Sequence, residues 1–183
     1  MLSKLANHHF KWGIFIRQIT GWVVITLLII TGYSYQYEIK QFGNRISATI
    51  IPGYGQGNGD GSVTFYAGSN GHFQITALIN DTQRVQFILD TGASLVSLTA
   101  EDAQSMGINL DELNYNYALS TANGISFGAR IRLAKMQVGP IIINNVDAVV
   151  SKPGRSDTSL LGMTFLSRLK QFSIKGNSLT LVN

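Results

Sequence analysis

The sequence contains no cysteine, only three histidines and few charged residues, and each scarcity excludes a class of function. Without cysteine there is no disulfide framework, no zinc–thiolate site and no cysteine nucleophile. His8 and His9 are adjacent and His72 stands alone, so we expect no metal site and no cofactor. The net charge of +4 comes mostly from the first 37 residues, which contain no acid, so we expect no nucleic-acid partner.

One uncharged stretch stands out near the N-terminal end. Residues 19–35 read ITGWVVITLLIITGYSY, which is close to the shortest apolar length that spans a bilayer, about 17 residues. Lys4, Lys11 and Arg17 precede it, and positive charge in such a position stays in the cytoplasm. We therefore predict a cytoplasmic tail over residues 1–18 and a transmembrane signal anchor over residues 19–35. A cleaved signal peptide is the alternative, but no small-x-small pair directly follows the apolar run.

The next segment, residues 36–64, is predicted to be a glycine-rich linker. It includes PGYGQGNGDG, Pro52 to Gly61, with glycine at every second position from Gly53 onward. Such a composition buries no core and is typical of a flexible tether.

Residues 65–183 have the pattern of a mostly β domain. Short runs of Val, Ile, Phe and Leu alternate with Gly, Asn and Asp, which is typical of strands joined by turns. The predicted strands are His72–Ile79, Arg84–Leu89, Tyr115–Ser120, Ile125–Leu133, Lys135–Val138, Ile141–Ile143, Val146–Val150, Phe172–Ile174 and Leu179–Val182. One or two short helices are expected, the first capped by Thr99 and the second within Met163–Leu169.

The segment that carries chemistry is Asp90-Thr91-Gly92. It follows the apolar strand end Phe87–Leu89, so a carboxylate is placed where a buried strand opens into a loop. Burying an acid there is costly unless it is hydrogen-bonded or used. The other interpretation is an aspartate that caps a turn, with Gly92 supplying a positive φ angle. From these residues alone both interpretations stay open.

Together with two later segments, this motif resembles the retropepsin-like aspartic proteases, especially the bacterial family with an N-terminal membrane anchor. Ser120–Gly124, STANG, is similar to the flap hairpin of that family. Leu160–Leu166, LLGMTFL, is similar to its second hallmark, two apolar residues and a glycine before a short helix. The resemblance covers residues 65–183 and implies a closed β-barrel domain.

The resemblance implies a catalytic mechanism that needs two copies of the chain. One Asp90 from each protomer would share a proton, because two adjacent like charges cannot both be ionised. The ionised carboxylate would activate a water, and the protonated one would hydrogen-bond the scissile carbonyl. Thr91 would hydrogen-bond across the homodimer, and Gly92 would let substrate approach the backbone. Since the chain has a single Asp-Thr-Gly, homodimerisation is required.

The resemblance also implies the substrate and the cellular location. The substrate would be an extended polypeptide covered by the flap. The residues expected to contact it are Ala93, Ala122, Asn123 and Gly124. Because an exposed tether is accessible to proteolysis, we also expect self-cleavage between Pro52 and Ser62, which would release a soluble form. The bacterial family implies a single-pass protein of the inner membrane, with a cytoplasmic N-terminus and a periplasmic catalytic domain.

Two positions depart from the viral pattern. Viral enzymes carry an acid after Asp-Thr-Gly-Ala and a base after the apolar-apolar-Gly motif, and the two pair. Here these positions are Ser94 and Met163, so both partners are missing. Two other functions stay open: an inactive module of this fold that binds peptides or scaffolds a complex of the cell envelope, and an anchored β domain of structural role in which the motif is accidental.

Overall fold

The computed structural model describes residues 12–35, 53–121 and 124–183. The chain divides into two compact units, Met1–Gly43 and Asn44–Asn183. The described part of the first unit is a helix, and the second unit is the β domain.

Helix α1, Trp12–Ser34, begins ahead of the predicted anchor and includes all of it except Tyr35. Within it, Ile16–Ser34 is long and apolar enough to cross a membrane. A signal sequence near an N-terminus has the same length and composition. The Thr20 hydroxyl donates a hydrogen bond to the Ile16 carbonyl at 3.0 Å, so this polar side chain is satisfied inside the helix.

The β domain contains eleven strands and three short helical segments within its described residues. In chain order these are β1 Gln56–Gly57, β2 Ser62–Tyr66, β3 Gln74–Ile79, β4 Gln83–Leu89, β5 Val96–Leu98, α2 Ala100–Ser105, a 3-10 helix Leu110–Glu112, β6 Tyr117–Thr121, β7 Gly124–Val138, β8 Ile141–Ser151, β9 Ser159–Leu161, α3 Met163–Leu166, β10 Gln171–Lys175 and β11 Ser178–Val182. The prediction of a mostly β domain with short helices is confirmed.

The larger sheet has the order β3-β4-β9-β5-β8-β7-β6. Strand β3 also pairs with β7, through Leu78 with Gln137 and Ile79 with Met136, so the hydrogen-bonded order returns to its first strand. Six strands thereby form a closed ring, which is the arrangement that a barrel requires. Strand β6 pairs with the N-terminal part of β7, residues 124–128, and extends the sheet beyond the ring.

The smaller sheet, β1-β2-β11-β10, corrects the C-terminal boundary of the predicted linker. Strand β2 pairs with β11 along its whole length, and Val63 is fully buried. A Cβ atom on Gly55 would collide with Val63 and lie 2.6 Å from Phe65, so this glycine permits close packing. The folded domain therefore includes residues from Gln56 onward, and residues 36–52 of the predicted linker lie outside the described residues.

Burial in the domain follows the alternation expected of strands. In β3 the buried positions are Ile75, Ala77 and Ile79, and the intervening side chains are half-buried. Fully buried Phe87 and Phe165 bring β4 and α3 into the same core. Burial of each such side chain away from water stabilises the folded state by about 2–3 kcal/mol. Core packing thus fixes the position of β4, the strand that directly precedes the Asp-Thr-Gly motif.

Helix α2 begins as the sequence predicts. The Thr99 hydroxyl accepts a hydrogen bond from the Asp102 backbone N–H at 3.0 Å, which satisfies a donor of the first turn. The Thr99 N–H in turn donates to Ser159 Oγ at 3.1 Å and connects the helix start to β9.

Candidate active site

Asp90 lies immediately after β4, at the point where the strand leaves the sheet. Strand β4 runs parallel to β9, with Leu89 opposite Leu161. The backbone N–H of Asp90 donates to the Leu161 carbonyl at 3.2 Å, so Asp90 continues the strand register by one residue. Asp90 is half-buried and lines a cavity.

The loop that follows, residues 90–95, is called here the active-site loop. The Gly92 N–H donates to Asp90 Oδ1 at 2.8 Å, and the Ala93 N–H donates to the Asp90 carbonyl at 3.3 Å. These bonds orient the carboxylate from within its own loop. Thr91 is exposed and Ala93 is half-buried.

Gly92 is needed for space and not for its φ angle. The φ angle of Gly92 is not positive, so that part of the turn interpretation is wrong, whereas the bond from the Gly92 N–H to Asp90 Oδ1 is the turn cap that it expected. A Cβ atom at this position would lie 3.2 Å from Asp90 Oδ1. A side chain here would therefore press on the carboxylate that the Gly92 N–H holds.

The second hallmark segment contacts the active-site loop directly. The Met163 N–H donates to the Ala93 carbonyl at 2.8 Å, and the Thr164 N–H donates to the Ser94 carbonyl at 3.2 Å. A Cβ atom on Gly162 would collide with the carbonyl of Leu95 and lie 2.7 Å from the Ala93 oxygen. Only glycine allows the start of α3 to approach the loop this closely.

Thr164 is a functional candidate that the sequence reasoning missed. Its hydroxyl accepts a hydrogen bond from the Val96 N–H at 2.9 Å and donates to the Asp147 carbonyl at 2.7 Å. It therefore connects the end of the active-site loop to β8. A polar residue inside the apolar run LLGMTFL was the signal available in the sequence.

These contacts involve Ser94 and Met163, the two positions that depart from the viral sequence pattern. Ser94 and Met163 have no ionisable groups, yet the backbone at both positions takes part in the bonds between loop and helix. Neutral hydrogen bonds and close packing thus support the active-site loop from within one protomer.

A cavity of about 440 Å³ extends from Asp90 to strand β6. Its lining includes Gly92 and Ala93 on the loop, and the β6 residues from Tyr117 to Ser120. Leu119, Val149 and Leu160 make part of the surface apolar. The cavity therefore places an extended strand edge and apolar side chains beside a carboxylate.

Strands β6 and β7 form the hairpin predicted as a flap. Thr121 pairs with Gly124, so two residues connect the strands, and Gly124 has φ of +107°. Ala122 and Asn123, both predicted to contact substrate, lie outside the described residues. Ile125 and Phe127 on β7 are 76% and 47% exposed, leaving apolar surface near the hairpin end.

The structure thus brings together some of the predicted site residues. Asp90, Gly92 and Ala93 line one cavity with β6. Thr91 and Gly124 are exposed. Their proposed contacts, across a dimer and to a substrate, stay predictions.

Comparisons with known proteins agree with this geometry. The family described as "gag-polyprotein putative aspartyl protease" matches residues 75–168, which include the active-site loop and α3. An uncharacterized protein from the cobV 5' region of a Sinorhizobium species is 37% identical over 180 residues, covering 96% of this chain and 76% of the relative. An uncharacterized protein of Rickettsia prowazekii is 38% identical over 167 residues, covering 91% of this chain and 71% of the relative.

A solved structure is similar as well. The crystal structure of a retropepsin-like aspartic protease from Rickettsia conorii matches with a TM-score of 0.60 and 38% identity. The match covers 66% of this chain and 89% of the other. Because the family matches half of the chain and these relatives are similar over most of their length, the chain belongs to the retropepsin-like aspartic proteases.

Proposed function

We propose that the protein is a membrane-anchored aspartic endopeptidase that works as a homodimer with one Asp-Thr-Gly motif in each protomer. The observation that carries this proposal is the position of Asp90. Its half-buried carboxylate lies at the end of β4, is oriented by the Gly92 N–H, and borders a cavity beside the edge of β6. A carboxylate held this way, next to space for an extended peptide, fits hydrolysis of peptide bonds.

The chemistry requires two carboxylates and one water. The ionised Asp90 takes a proton from the water, whose oxygen attacks the scissile carbonyl carbon. The protonated Asp90 of the second protomer donates a hydrogen bond to the carbonyl oxygen as negative charge develops there. The tetrahedral intermediate then breaks its C–N bond, and the leaving nitrogen receives the proton. Gly92 leaves the carboxylate uncrowded in this scheme, and Thr91 supports the loop across the dimer.

The substrate is an extended polypeptide bound by strand addition. Ala93 lies on the cavity wall beside Asp90. The tip of the hairpin, Ala122 to Gly124, closes over the peptide and excludes water from the reacting bond. The apolar surface of Leu119 and Leu160 then receives a side chain next to the scissile bond.

The N-terminal helix contributes to function by confining the enzyme to a surface. As a signal anchor in a bacterial inner membrane, α1 places residues 1–18 in the cytoplasm and the catalytic domain in the periplasm. Two copies held in one membrane have a raised effective concentration, which favours the dimer that the single motif requires.

The test of this proposal measures cleavage of a peptide library by full-length protein in detergent. The pH is varied between about 4 and 7, the range in which a carboxylate pair titrates. Wild type is compared with Asp90→Asn, and with Glu101→Gln as a control that neutralises an exposed carboxylate that does not line the Asp90 cavity. We expect cleavage by wild type and the control and none by Asp90→Asn. Peptide binding without cleavage by any of the three would instead support a binding or scaffolding module.

A further inference from the structure

A second cavity of about 430 Å³ adjoins the one at Asp90 and shares Ser97, Leu119 and Leu160 with it. Its far side is formed by residues 152–158, called here the basic loop, which connects β8 to β9. The loop contributes Lys152, Arg155 and Ser156 to the lining. Two cations therefore line a cavity that adjoins the one at Asp90.

The basic loop is a defined turn. The Arg155 N–H donates to the Lys152 carbonyl at 3.1 Å, and Gly154 has φ of +70°, which suits a tight turn. The Ser156 hydroxyl donates to the Thr158 carbonyl at 2.9 Å and closes the rest of the loop. The Lys152 ammonium lies 5.9 Å from the centre of the Tyr115 ring, a cation–π distance that favours this position of its side chain.

The charges around the second cavity are unbalanced. Among its lining residues are two cations and no acid, while Asp157 of the basic loop does not line it. Within the described ranges 12–35, 53–121 and 124–183, the ion pairs are Arg130 and Arg132 with Asp147, and Lys135 with Asp81. Neither Lys152 nor Arg155 therefore has an ionic partner there.

The remaining polar groups in this cavity are neutral hydrogen-bonding side chains. Four hydroxyls line it, those of Ser97, Ser126, Ser151 and Ser156. The Ser156 hydroxyl already donates to Thr158, which leaves the hydroxyls of Ser97, Ser126 and Ser151 as donors. Hydroxyl donors beside two cations without an ionic partner suit a carboxylate, which accepts hydrogen bonds and carries a negative charge.

We propose that Lys152 and Arg155 select polypeptides with an acidic side chain near the scissile bond. This inference rests on the proposed function, because it assumes that a peptide lies along Asp90 and β6. The acid belongs in the second cavity and not in the first, where the charge of Asp90 would repel it and Leu119, Val149 and Leu160 present apolar surface.

The spacing of an extended peptide locates the acidic position. Side chains two residues apart point to the same side of a strand and lie about 6.5–7 Å apart. The two cavities adjoin through three shared residues, so they suit side chains separated by two positions. The preferred substrate thus has an apolar residue in the Asp90 cavity and an aspartate or glutamate two residues from it.

The test uses full-length protein and peptides blocked at both ends, so that a terminal carboxylate cannot substitute for the side chain. Glutamate and glutamine are exchanged at each position around the cleaved bond. Cleavage is measured with wild type, and binding is measured separately with Asp90→Asn. We expect glutamate to improve KM and the binding constant by about five-fold at one position, the size expected of exposed charge pairs, with little change in kcat.

Matched variants separate this site from general electrostatics. Lys152→Gln with Arg155→Gln should abolish the preference, and Lys152→Glu with Arg155→Glu should reverse it in favour of a lysine-containing peptide. Lys170→Gln with Lys175→Gln removes the same charge from exposed residues that line neither cavity, and it should retain the preference. Because the pairs are exposed, the preference should also shrink as salt rises from about 0.02 M to 0.5 M.

Each outcome decides one question. Equal use of glutamate and glutamine at every position, or a preference that survives in the Lys152 and Arg155 double variant, overturns the inference while leaving the peptidase intact. Loss of the preference in the Lys170 and Lys175 control also overturns it, since net charge would then be the cause. If no peptide is cleaved but Asp90→Asn still binds the glutamate peptide more tightly, the peptidase proposal fails and the acid-selective cavity stands.

Discussion

Replacing Thr164 with valine removes one hydroxyl and keeps almost the same side-chain shape. That hydroxyl accepts from the Val96 N–H and donates to the Asp147 carbonyl. Valine can do neither, so both backbone groups lose a partner at the end of the active-site loop. Because the volume is conserved, any effect comes from hydrogen bonding and not from a cavity.

The magnitude follows from the burial of the two groups. Val96 is fully buried, so water cannot reach its N–H, and an unsatisfied buried donor costs about 1–3 kcal/mol. Asp147 is half-buried, so its carbonyl recovers part of its hydrogen bonding from water. We expect Thr164→Val to lower the free energy of unfolding by about 2–3 kcal/mol and Tm by roughly 10 °C.

The same change should lower activity beyond the loss of folded protein. The Val96 N–H ends the loop that carries Asp90, and small displacements of a reacting group reduce rates strongly, by roughly 100-fold for about 1 Å. We expect kcat at least about ten-fold below wild type at a temperature where both proteins are folded. Denaturant unfolding gives the stability, and peptide cleavage gives kcat.

Two further variants make the result interpretable. Thr164→Ser keeps the hydroxyl and should stay within about 1 kcal/mol of wild type with near-normal kcat. Thr180→Val removes a hydroxyl that is 3.2 Å from Thr64 Oγ1 in the smaller sheet, away from the loop, and should leave kcat unchanged. If the free energy of unfolding of Thr164→Val lies within about 0.5 kcal/mol of the wild-type value and kcat is unaltered, the role assigned to this hydroxyl is refuted.

Three other changes have distinct expected outcomes. Gly162→Ala forces the start of α3 off the loop and should cost at least about 3 kcal/mol by urea unfolding, whereas Gly57→Ala, with open space around its Cβ, should cost little. Gly92→Ala crowds the Asp90 carboxylate and should lower kcat with a smaller effect on Tm, so a variant as active as wild type would contradict the spatial role of this glycine. Thr99→Ala removes the cap of α2 and should cost about 1 kcal/mol without altering kcat, and a kcat loss larger than the loss of folded protein would show that the cap also acts on the site.

The predicted self-cleavage segment, Pro52 to Ser62, needs revision in the light of the fold. Gly53 accepts a backbone hydrogen bond from Thr76 at 3.0 Å, and β1 pairs with β2. A peptidase that binds extended chains needs a segment that is not already paired. Any self-cleavage should therefore fall before Gly53, and N-terminal sequencing of a released fragment that begins within residues 54–62 would contradict this.

Local patterns in the sequence were sufficient for much of the fold. The apolar run within His72–Ile79 marked a strand, and Thr99 before acidic residues marked a helix start. Both signals depend on neighbours within a few residues. In the smaller sheet β10 and β11 were predicted, but β1 and β2 were missed because Gly55 was interpreted as flexible, whereas its lack of a side chain serves packing against Val63 and Phe65, which no local pattern reveals.

The candidate site was predictable only where a motif carried it. Asp90 was proposed as catalytic only when its tripeptide was taken together with the two later segments of the resemblance, since the tripeptide and the apolar strand before it left two interpretations open. Thr164 was missed because its partners, Val96 and Asp147, are 68 and 17 residues away and meet it only when β5, β8 and α3 assemble. The positive φ angle that one interpretation gave Gly92 was wrong, because a turn glycine and a glycine that spares a carboxylate look alike in sequence.

The neutral support of the active-site loop has a consequence for the proposed dimer. Every bond described between the loop, α3 and β8 lies within one protomer and uses backbone groups or a hydroxyl, none of which ionises near neutral pH. The orientation of Asp90 therefore uses no group from a second protomer. In the proposed dimer the partner would have to supply a second carboxylate but not a new loop conformation. Because less ordering would accompany association, we expect the proposed anchored dimer to need only a weak interface.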